Sequence, residues 1–444
     1  MNGLFFGIVL LAFGVTAWRQ IFSVVPPGTP SPMEALGTGM VNSAASSVTL
    51  ALGLIGVMAL FLGLMKVAEA GGLLVVIARL IRPLMVKLFP GVPAEHPAMG
   101  AMTLNMSANA LGLGNAATPF GIRAMQELDK LNPHKGTATD AMVMFLVINT
   151  ANVTILPTSV IALRAAVGSA DPAAVVPTTL FATIVATGVA ILCVKWFGRY
   201  WPVQAGDESG ATTPQTVEGE SFPEADVSTA ATAERVRPED ATGYPAWVSW
   251  LFLAFIVALV PLTLFYGRAI SPWIIPGIMA GILLYGAIKR VRIYEAFVEG
   301  AKDGFTVAVR IIPYLVAILV AIAMLRSSGA LDAIIGAISP FTGKIGLPAE
   351  VLPMALMRSL SGSGAYGIMA DALKDPNIGP DSYAGLLIST IQGSSETTFY
   401  VLAVYCGAIG VRRMRHAVVV GIIADVAAVL AAVAVCAYIA ARVS

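Results

Sequence analysis

Residues Ser389 to Tyr405 read STIQGSSETTFYVLAVY. Both flanks are apolar, yet the middle is Gln-Gly-Ser-Ser-Glu-Thr-Thr, which places an amide, a carboxylate and four hydroxyls inside a stretch long enough to enter a membrane. A carboxylate at mid-bilayer costs about 2.5–3.5 kcal/mol unless it is paired, protonated or hydrated, so such a residue marks function by default. The rest of the chain decides whether this stretch lies in a bilayer and what it faces there.

Of the 444 residues, 57% are hydrophobic and 12% charged, and the mean hydropathy is +0.81. Soluble domains carry about a quarter charged residues. Runs of about 18 or more apolar residues recur along the chain, the length that crosses a bilayer. Spans are predicted at 3–24, 48–69, 140–166, 176–198, 246–266, 271–288, 307–325, 383–408 and 414–441. The start, MNGLFFGIVLLAFG, has no basic leading region and no cleavage site, so it reads as a retained span. The net charge of +1 points to no nucleic acid or other charged partner. Cys193, Cys406 and Cys436 all fall in apolar spans and read as packing residues, neither a disulfide nor a metal site. No cofactor and no metal site is expected. Residues 202–245 are polar, rich in Ala, Thr, Glu and Pro, and read as a flexible linker. The linker divides the chain into a first unit, 1–201, and a second, 246–444.

The two units repeat one another. GGLLVVIARLIRPLMVKLFPGVPAE (71–95) matches SGALDAIIGAISPFTGKIGLPAE (328–350), with equal Gly-to-Pro spacing, a Lys four residues after each Pro, and Pro-Ala-Glu at the end of both. A stretch broken by Gly, Pro and polar residues follows each copy, at 96–127 and 350–373. Next comes a span with a polar centre, VINTANVTILP (147–157) in the first unit and TIQGSSETTFY (390–400) in the second. Asn149 falls opposite Gln392, Asn152 opposite Ser395, and Thr154 opposite Thr397. If the broken stretches are re-entrant hairpins, Lys and Arg collect strongly on one side of the membrane, which the positive-inside rule prefers. The copies are then inverted, a transporter signature. The expected fold is an all-α polytopic membrane protein of the inner (plasma) membrane. It has two inverted-topology repeats, each with a re-entrant helical hairpin and a discontinuous helix, and about nine spans in all. The N-terminus is cytoplasmic and the C-terminus extracytoplasmic.

Irregular backbone survives in hydrocarbon only inside protein or against a water-filled cavity. Gly112, Gly114 and Pro119 argue for such a break in the first hairpin, and Gly362, Gly364 and Gly367 in the second. The alternative is that the glycines only permit close helix packing. The candidate binding residues are Asn105, Asn109, Asn115 and Thr118 in the first hairpin, with Asn149, Asn152 and Thr154 in the first polar centre. The second unit adds Arg358, Ser361, Ser363, Gln392, Ser394, Ser395, Glu396 and Thr397. Gln392 and Glu396 are four apart, and Asn149 and Asn152 three apart, so each pair would share a helical face. Pro157 breaks the helix after Asn152. Glu396 would bind a coupling cation, H⁺ or Na⁺, carry a proton, or accept from a solute; the bland reading is an internal salt bridge with Arg358. For each amide the bland reading is an interhelical hydrogen bond. Amides and hydroxyls with one acid and one base suit a small polar organic solute better than a transition metal, since no Cys or His lies nearby. Asp425, in the last span, either assists proton movement or bonds a neighbouring helix. His96 reads as a loop histidine and Lys66 with Glu69 as a snorkelling span end. Segments 33–47 and 292–306 read as short interfacial helices. No nucleophile with a base partner is evident, so an enzyme is not expected. Association into a homo-oligomer is left open.

The motifs GLGNAATPFGIRAMQEL (112–128) and FLVINTANVTILPTSVIALR (145–164) resemble spore maturation protein A. FVEGAKDGFTVAVRIIPYLVAILVAI (297–322), RSSGALDAIIG (326–336), GPDSYAGLL (379–387) and QGSSETTFYVLAVYCGAIGVRRM (392–414) resemble spore maturation protein B. The chain thus looks like a fusion of the two, within the nucleoside-recognition "gate" family, whose domains also occur in concentrative nucleoside transporters and ferrous iron transporters. The resemblance covers nearly everything except the linker. It implies a transport-type fold with paired hairpins and broken helices. The nucleoside transporters' acidic substrate motifs have no clear counterpart here, so it implies no particular substrate. Two functions follow as expectations: a secondary transporter of a small polar solute, or a non-transporting membrane scaffold in cell-envelope or spore maturation.

Overall fold

The computed structural model describes residues 2–22, 29–112, 114–201 and 244–443. Residues 202–243, nearly all of the expected linker, lie outside the described residues. The described residues are helical almost throughout, with one isolated bridge between Thr137 and Arg413. By length and composition, four helices among them are long and apolar enough to cross a membrane.

After α1 (Asn2–Phe22) the chain runs through two equivalent series of seven helices. The first is α2 (Pro32–Ala70), α3 (Leu73–Leu88), α4 (Pro97–Ala110), α5 (Gly114–Lys130), α6 (Asp140–Thr150), α7 (Thr158–Ala166) and α8 (Val175–Phe197). A single helix, α9 (Ala246–Ile288), precedes the second. That series is α10 (Ile293–Ser327), α11 (Ala330–Thr342), α12 (Leu352–Leu360), α13 (Gly362–Lys374), α14 (Tyr383–Ser394), α15 (Thr398–Gly407) and α16 (Ala417–Val443). The copies agree in local detail. α3 and α11 each start at a left-handed glycine, Gly72 (φ 78°) and Gly329 (φ 76°), and each contains one proline, Pro83 and Pro340. α6 and α14 are N-capped at matching positions: the Thr139 hydroxyl accepts from Met142 N–H, and that of Ser382 from Gly385 N–H.

Three readings of the sequence change. Segment 33–47 is not an interfacial helix but the first turns of α2, whose start is fixed by a Ser31–Glu34 capping box. Segment 292–306 is likewise the start of α10. These segments continue because no breaker separates them from the apolar run, and the start of α10 packs on the later turns of α2. Gly300 lies against the Leu62 carbonyl and Gly304 against Ala59, a small-residue spacing that brings two helices close in a membrane. The spans expected at 246–266 and 271–288 form one helix, α9, with Pro261, Pro272 and Pro276 inside it. Gly267 and the Ser271-Pro272 pair offer a stop and a restart, yet the helix runs through them, since a proline in a membrane helix can be accommodated by neighbouring groups.

The spans expected at 140–166 and 383–408 are both discontinuous. The first is α6 and α7 separated by Ala151–Pro157; the second is α14 and α15 separated by Ser395–Thr397. Their ends are clasped crosswise. Arg415, in the loop that leads from α15 to α16, donates to Asp140 at 2.5 Å at the start of α6. Arg164, near the end of α7, donates to Asp381 at 3.0 Å, just before α14. The start of each broken helix therefore lies beside the end of the other, and the two run antiparallel. Apolar packing says the same. One buried cluster joins α7 to α14 through Ile161, Leu163, Leu387 and Ile391. A second joins α6 to α15 through Phe145, Leu146, Val401 and Leu402. The two breaks lie between these apolar layers, at the crossing point.

Candidate functional site

The breaks touch through their backbones. The Glu396 N–H donates to the carbonyl of Thr150, the last residue of α6, at 2.8 Å. The Thr187 hydroxyl of α8 donates to the Ala151 carbonyl. Gly393 packs where a Cβ would stand 2.9 Å from Thr179 and 3.3 Å from Pro157, so the approach of the two broken helices needs a glycine there. These bonds satisfy backbone groups that the interrupted helices leave open.

Each hairpin tip rests on the break of its own repeat. The first turns between α4 and α5 at Gly112 (φ 74°), where a Cβ would stand 2.3 Å from the Leu156 carbonyl oxygen. The Ile155 N–H also donates to the Ala110 carbonyl at 2.9 Å. In the second hairpin α12 ends at Ser361, whose hydroxyl caps α13 by accepting from Gly364 N–H at 3.1 Å. Gly362 lies against Thr397. The break thus falls at Ser361, while Gly364 and Gly367 sit within α13, and Pro119 sits within α5 without ending it.

The sequence candidates divide by where they point. Asn109 Nδ2 donates to Asn149 Oδ1 at 3.0 Å, and Asn149 Nδ2 donates to the Phe145 carbonyl at 2.9 Å, so hairpin and broken helix are joined by buried amides. Asn105 Nδ2 donates to the Ala117 carbonyl at 2.7 Å and to the Tyr405 hydroxyl at 3.3 Å. Thr118 also faces Tyr405. Thr154 donates to Asn152 Oδ1 at 3.2 Å across the first break. Ser394 donates to the Ile391 carbonyl inside α14, and Ser361 pairs with the exposed Ser363 at 3.4 Å. Thr397 and Ser395 are buried in the second break. The side chain of Asn115 lies outside the described residues.

Two shared-face readings fail. α14 ends at Ser394, so Glu396 is not one helical turn beyond Gln392; α6 ends at Thr150, so Asn152 does not share a face with Asn149. The i, i+3 and i, i+4 arithmetic presumes an unbroken helix, and the breaks turn these side chains elsewhere.

The charges concentrate on the second break. Arg358 of α12, its side chain 8% exposed, lies 3.8 Å from Glu396, whose side chain is 45% exposed among buried neighbours. The salt bridge weighed from the sequence is therefore present, with its carboxylate open to the crossing. Several buried polar atoms here have no hydrogen-bond partner: Arg358 Nε, Gln392 Oε1, Thr179 Oγ1, Asn105 Oδ1 and Asp425 Oδ1. Buried polar atoms in native proteins are almost always bonded, and exceptions need an explanation. Each of these atoms is sealed from solvent, in the protein around the two breaks and the hairpins. Lys66 and His96 are elsewhere: Lys66 pairs with Glu69 at 3.6 Å, and His96 Nδ1 caps α4 by accepting from Ala98 N–H.

Sequence reasoning missed Arg164, Tyr405 and Asp381. Arg164, 1% exposed, donates to the Pro380 carbonyl (2.6 Å), Ser389 (3.3 Å), Ser169 (3.0 Å), the Asp171 carbonyl (3.1 Å) and Asp381 (3.0 Å). A lone arginine in SVIALRAAVG was the available signal. Tyr405 stacks on Phe145 at 6.0 Å and reaches the first hairpin. Asp381 lies in a loop outside the spanning helices. Burial pushes its carboxyl up, but hydrogen bonds from Ser169 and Ala170 and the Arg164 charge outweigh this and hold it below the ordinary carboxylate range.

The family model described as "Gate: Nucleoside recognition" matches residues 51–167 and 308–412. Spore maturation protein B of Bacillus subtilis (strain 168) is 53% identical over 159 residues, 36% of this chain and 88% of that protein. Spore maturation protein A of the same strain is 41% identical over 165 residues, 37% of this chain and 84% of that protein. Among solved structures, CNTnw in an outward-facing state is similar with a TM-score of 0.44 at 15% identity, over 99% of this chain and 92% of that one. The Alcanivorax borkumensis YdaH transporter gives 0.39 at 15% identity, over 99% and 98%.

Proposed function

The chain belongs to the nucleoside recognition (Gate) family, and from that premise we propose that it is a secondary transporter of a small polar solute, bound at the crossing of its two broken helices. The observation that carries this reading is the half-exposed Glu396 in the second break, paired with buried Arg358 and surrounded by buried polar atoms without partners. A purely structural ion pair gains little from holding its carboxylate open. In the proposal Glu396, Gln392, Ser395 and Thr397 form one wall, and Asn149, Asn152 and Thr154 the other. Asn105, Asn109, Asn115, Thr118, Ser361 and Ser363 contribute from the hairpins. Arg358 meets any anionic group of the solute. The class is nucleoside-like or another small organic molecule, following the family's description. The units 1–201 and 246–444 are the two gate repeats, inverted in the membrane, with the N-terminus cytoplasmic and transport driven by an ion gradient.

A second reading has one observation in its favour: the relatives are named for spore maturation. In it the chain is a membrane scaffold or assembly factor, and Glu396→Gln and Asn149→Ala are silent. Thermal-shift screening of the purified protein against nucleosides, amino acids, small carboxylates and metal ions separates the two. The transporter reading expects a solute that stabilises the wild type and not Glu396→Gln. If no solute stabilises the protein and both substitutions are silent in cells, the reading fails.

A further inference from the structure

Asp425 lies on α16, one helical turn beyond Gly421, on the face that meets the second break. At Gly421 a Cβ would stand 2.6 Å from Thr398, so the helix backbone is pressed against the start of α15. The Thr398 hydroxyl donates to Asp425 Oδ2 at 2.8 Å. Oδ1 has no partner at hydrogen-bond geometry, with the Ser359 and Ser395 hydroxyls beside it, and the residue is 6% exposed. Ser359, Ser395 and Arg358 also face the carboxyl.

Arg358 pairs with the half-exposed Glu396 at 3.8 Å, and the buried Asp425 lies beyond ion-pair distance but within reach of the same guanidinium charge. Two carboxylates and one guanidinium carry one negative charge in excess when all three are ionised. An uncompensated charge in a low-dielectric interior is expensive, and a single proton removes it. The other elements packed on α16 supply no counter-charge at this depth. α6, α8 and α14 carry Asp140, Cys193, Lys195 and Tyr383 at or near their ends, α15 carries Tyr400, Tyr405 and Cys406, and α16 itself has His416 before it and Cys436 and Tyr438 three or more turns on. Among the described residues no three His, Cys, Asp or Glu side chains gather as a metal site, and the guanidinium would repel a metal ion.

We propose that Asp425 is a proton-binding site, linked through Arg358 to whatever occupies Glu396. The proton is taken from solvent and held on Oδ1 as an O–H; it returns to solvent when Asp425 ionises. With Asp425 protonated, Arg358 belongs to Glu396. A solute group that engages Glu396 frees Arg358 to neutralise Asp425, and the proton leaves. Linkage makes this reciprocal, so protonation weakens the solute. The exchange of one solute for one proton rests on the crossing being the binding site.

Infrared difference spectroscopy of the purified full chain, titrated over pH without solute, reads the C=O stretch of protonated carboxyls. A titrating band present in the wild type is expected to vanish in Asp425→Asn and to persist in Glu396→Gln. In Glu396→Gln it should disappear about one pH unit lower, a tenfold loss of proton affinity, because Arg358 is then free. If Asp425→Asn does not fold, Thr398→Val replaces it: losing the donor to the carboxylate should carry the band to higher pH. The proposal is overturned if the band belongs to Glu396, if Glu396→Gln leaves the midpoint in place, or if replacing K⁺ by Na⁺ moves it. A titrating Asp425 with no stabilising solute in the thermal-shift screen defeats the binding-site reading alone. A stabilising solute with no titrating band defeats the proton site alone.

Discussion

Replacing Arg164 by Met should cost far more stability than removing its ion-pair partner. The guanidinium is 1% exposed and spends its donors on two backbone carbonyls, two hydroxyls and one carboxylate. Asp381, the carboxylate, is 43% exposed, so its Coulomb attraction is screened by water. Hydrogen bonds to a charged group contribute about 1.5–3 kcal/mol each but do not add when they share one donor group. Breaking a buried charged network typically costs about 3–5 kcal/mol. The expectation for Arg164→Met is therefore about 3–5 kcal/mol, and for Asp381→Asn about 1 kcal/mol or less. Arg164→Lys should fall between, since an ammonium cannot span the fork of acceptors. Denaturant titration in detergent, read by circular dichroism, measures all three, and the double variant gives the coupling. If Arg164→Met and Asp381→Asn cost the same, the carbonyl and hydroxyl bonds contribute nothing and the clasp is only a surface ion pair.

Acid should loosen the same clasp. The Asp381 carboxyl is held below its ordinary range, so the stability it contributes is present above the unfolded-state value of about 3.9 and is lost as pH falls through the folded value. Acid unfolding curves should show Asp381→Asn losing less stability than wild type in that window. Gly112→Ala and Gly72→Ala both put a side chain at positive φ, for roughly 1–2 kcal/mol. Only the first drives a Cβ into a carbonyl, so its melting temperature should drop clearly further. Asn109→Ala and Asn149→Ala should each cost about 1–3 kcal/mol by stranding a buried amide, and the double variant less than their sum.

The repeats and both discontinuous helices were legible because glycines and amides in a bilayer stretch are costly and so stand out. Pro157 and the Ser395–Thr397 run mark interruptions by composition alone. The faces at the crossing were not legible. Periodicity places Glu396 over Gln392 only while the helix continues, and it stops at Ser394. Arg164 and Asp381 are 217 residues apart, and their meeting depends on two helices running antiparallel, which no local pattern encodes. The identity of Arg358 as Glu396's partner could be read, since few charges lie deep. That Asp425 also faces that arginine could not. α9 reads as two spans because hydropathy dips at Gly267 and Arg268, and backbone continuity does not follow hydropathy.

The clasps tie the start of each broken helix to the end of its counterpart, while each hairpin tip rests on the break of its own half. Neither half can close its own crossing, so what each needs is one copy of the other. A peptide joining them supplies that copy at a high local concentration and in a one-to-one ratio. Severing the chain between the halves should then leave two fragments that still find each other, with assembly now depending on how much of each is made.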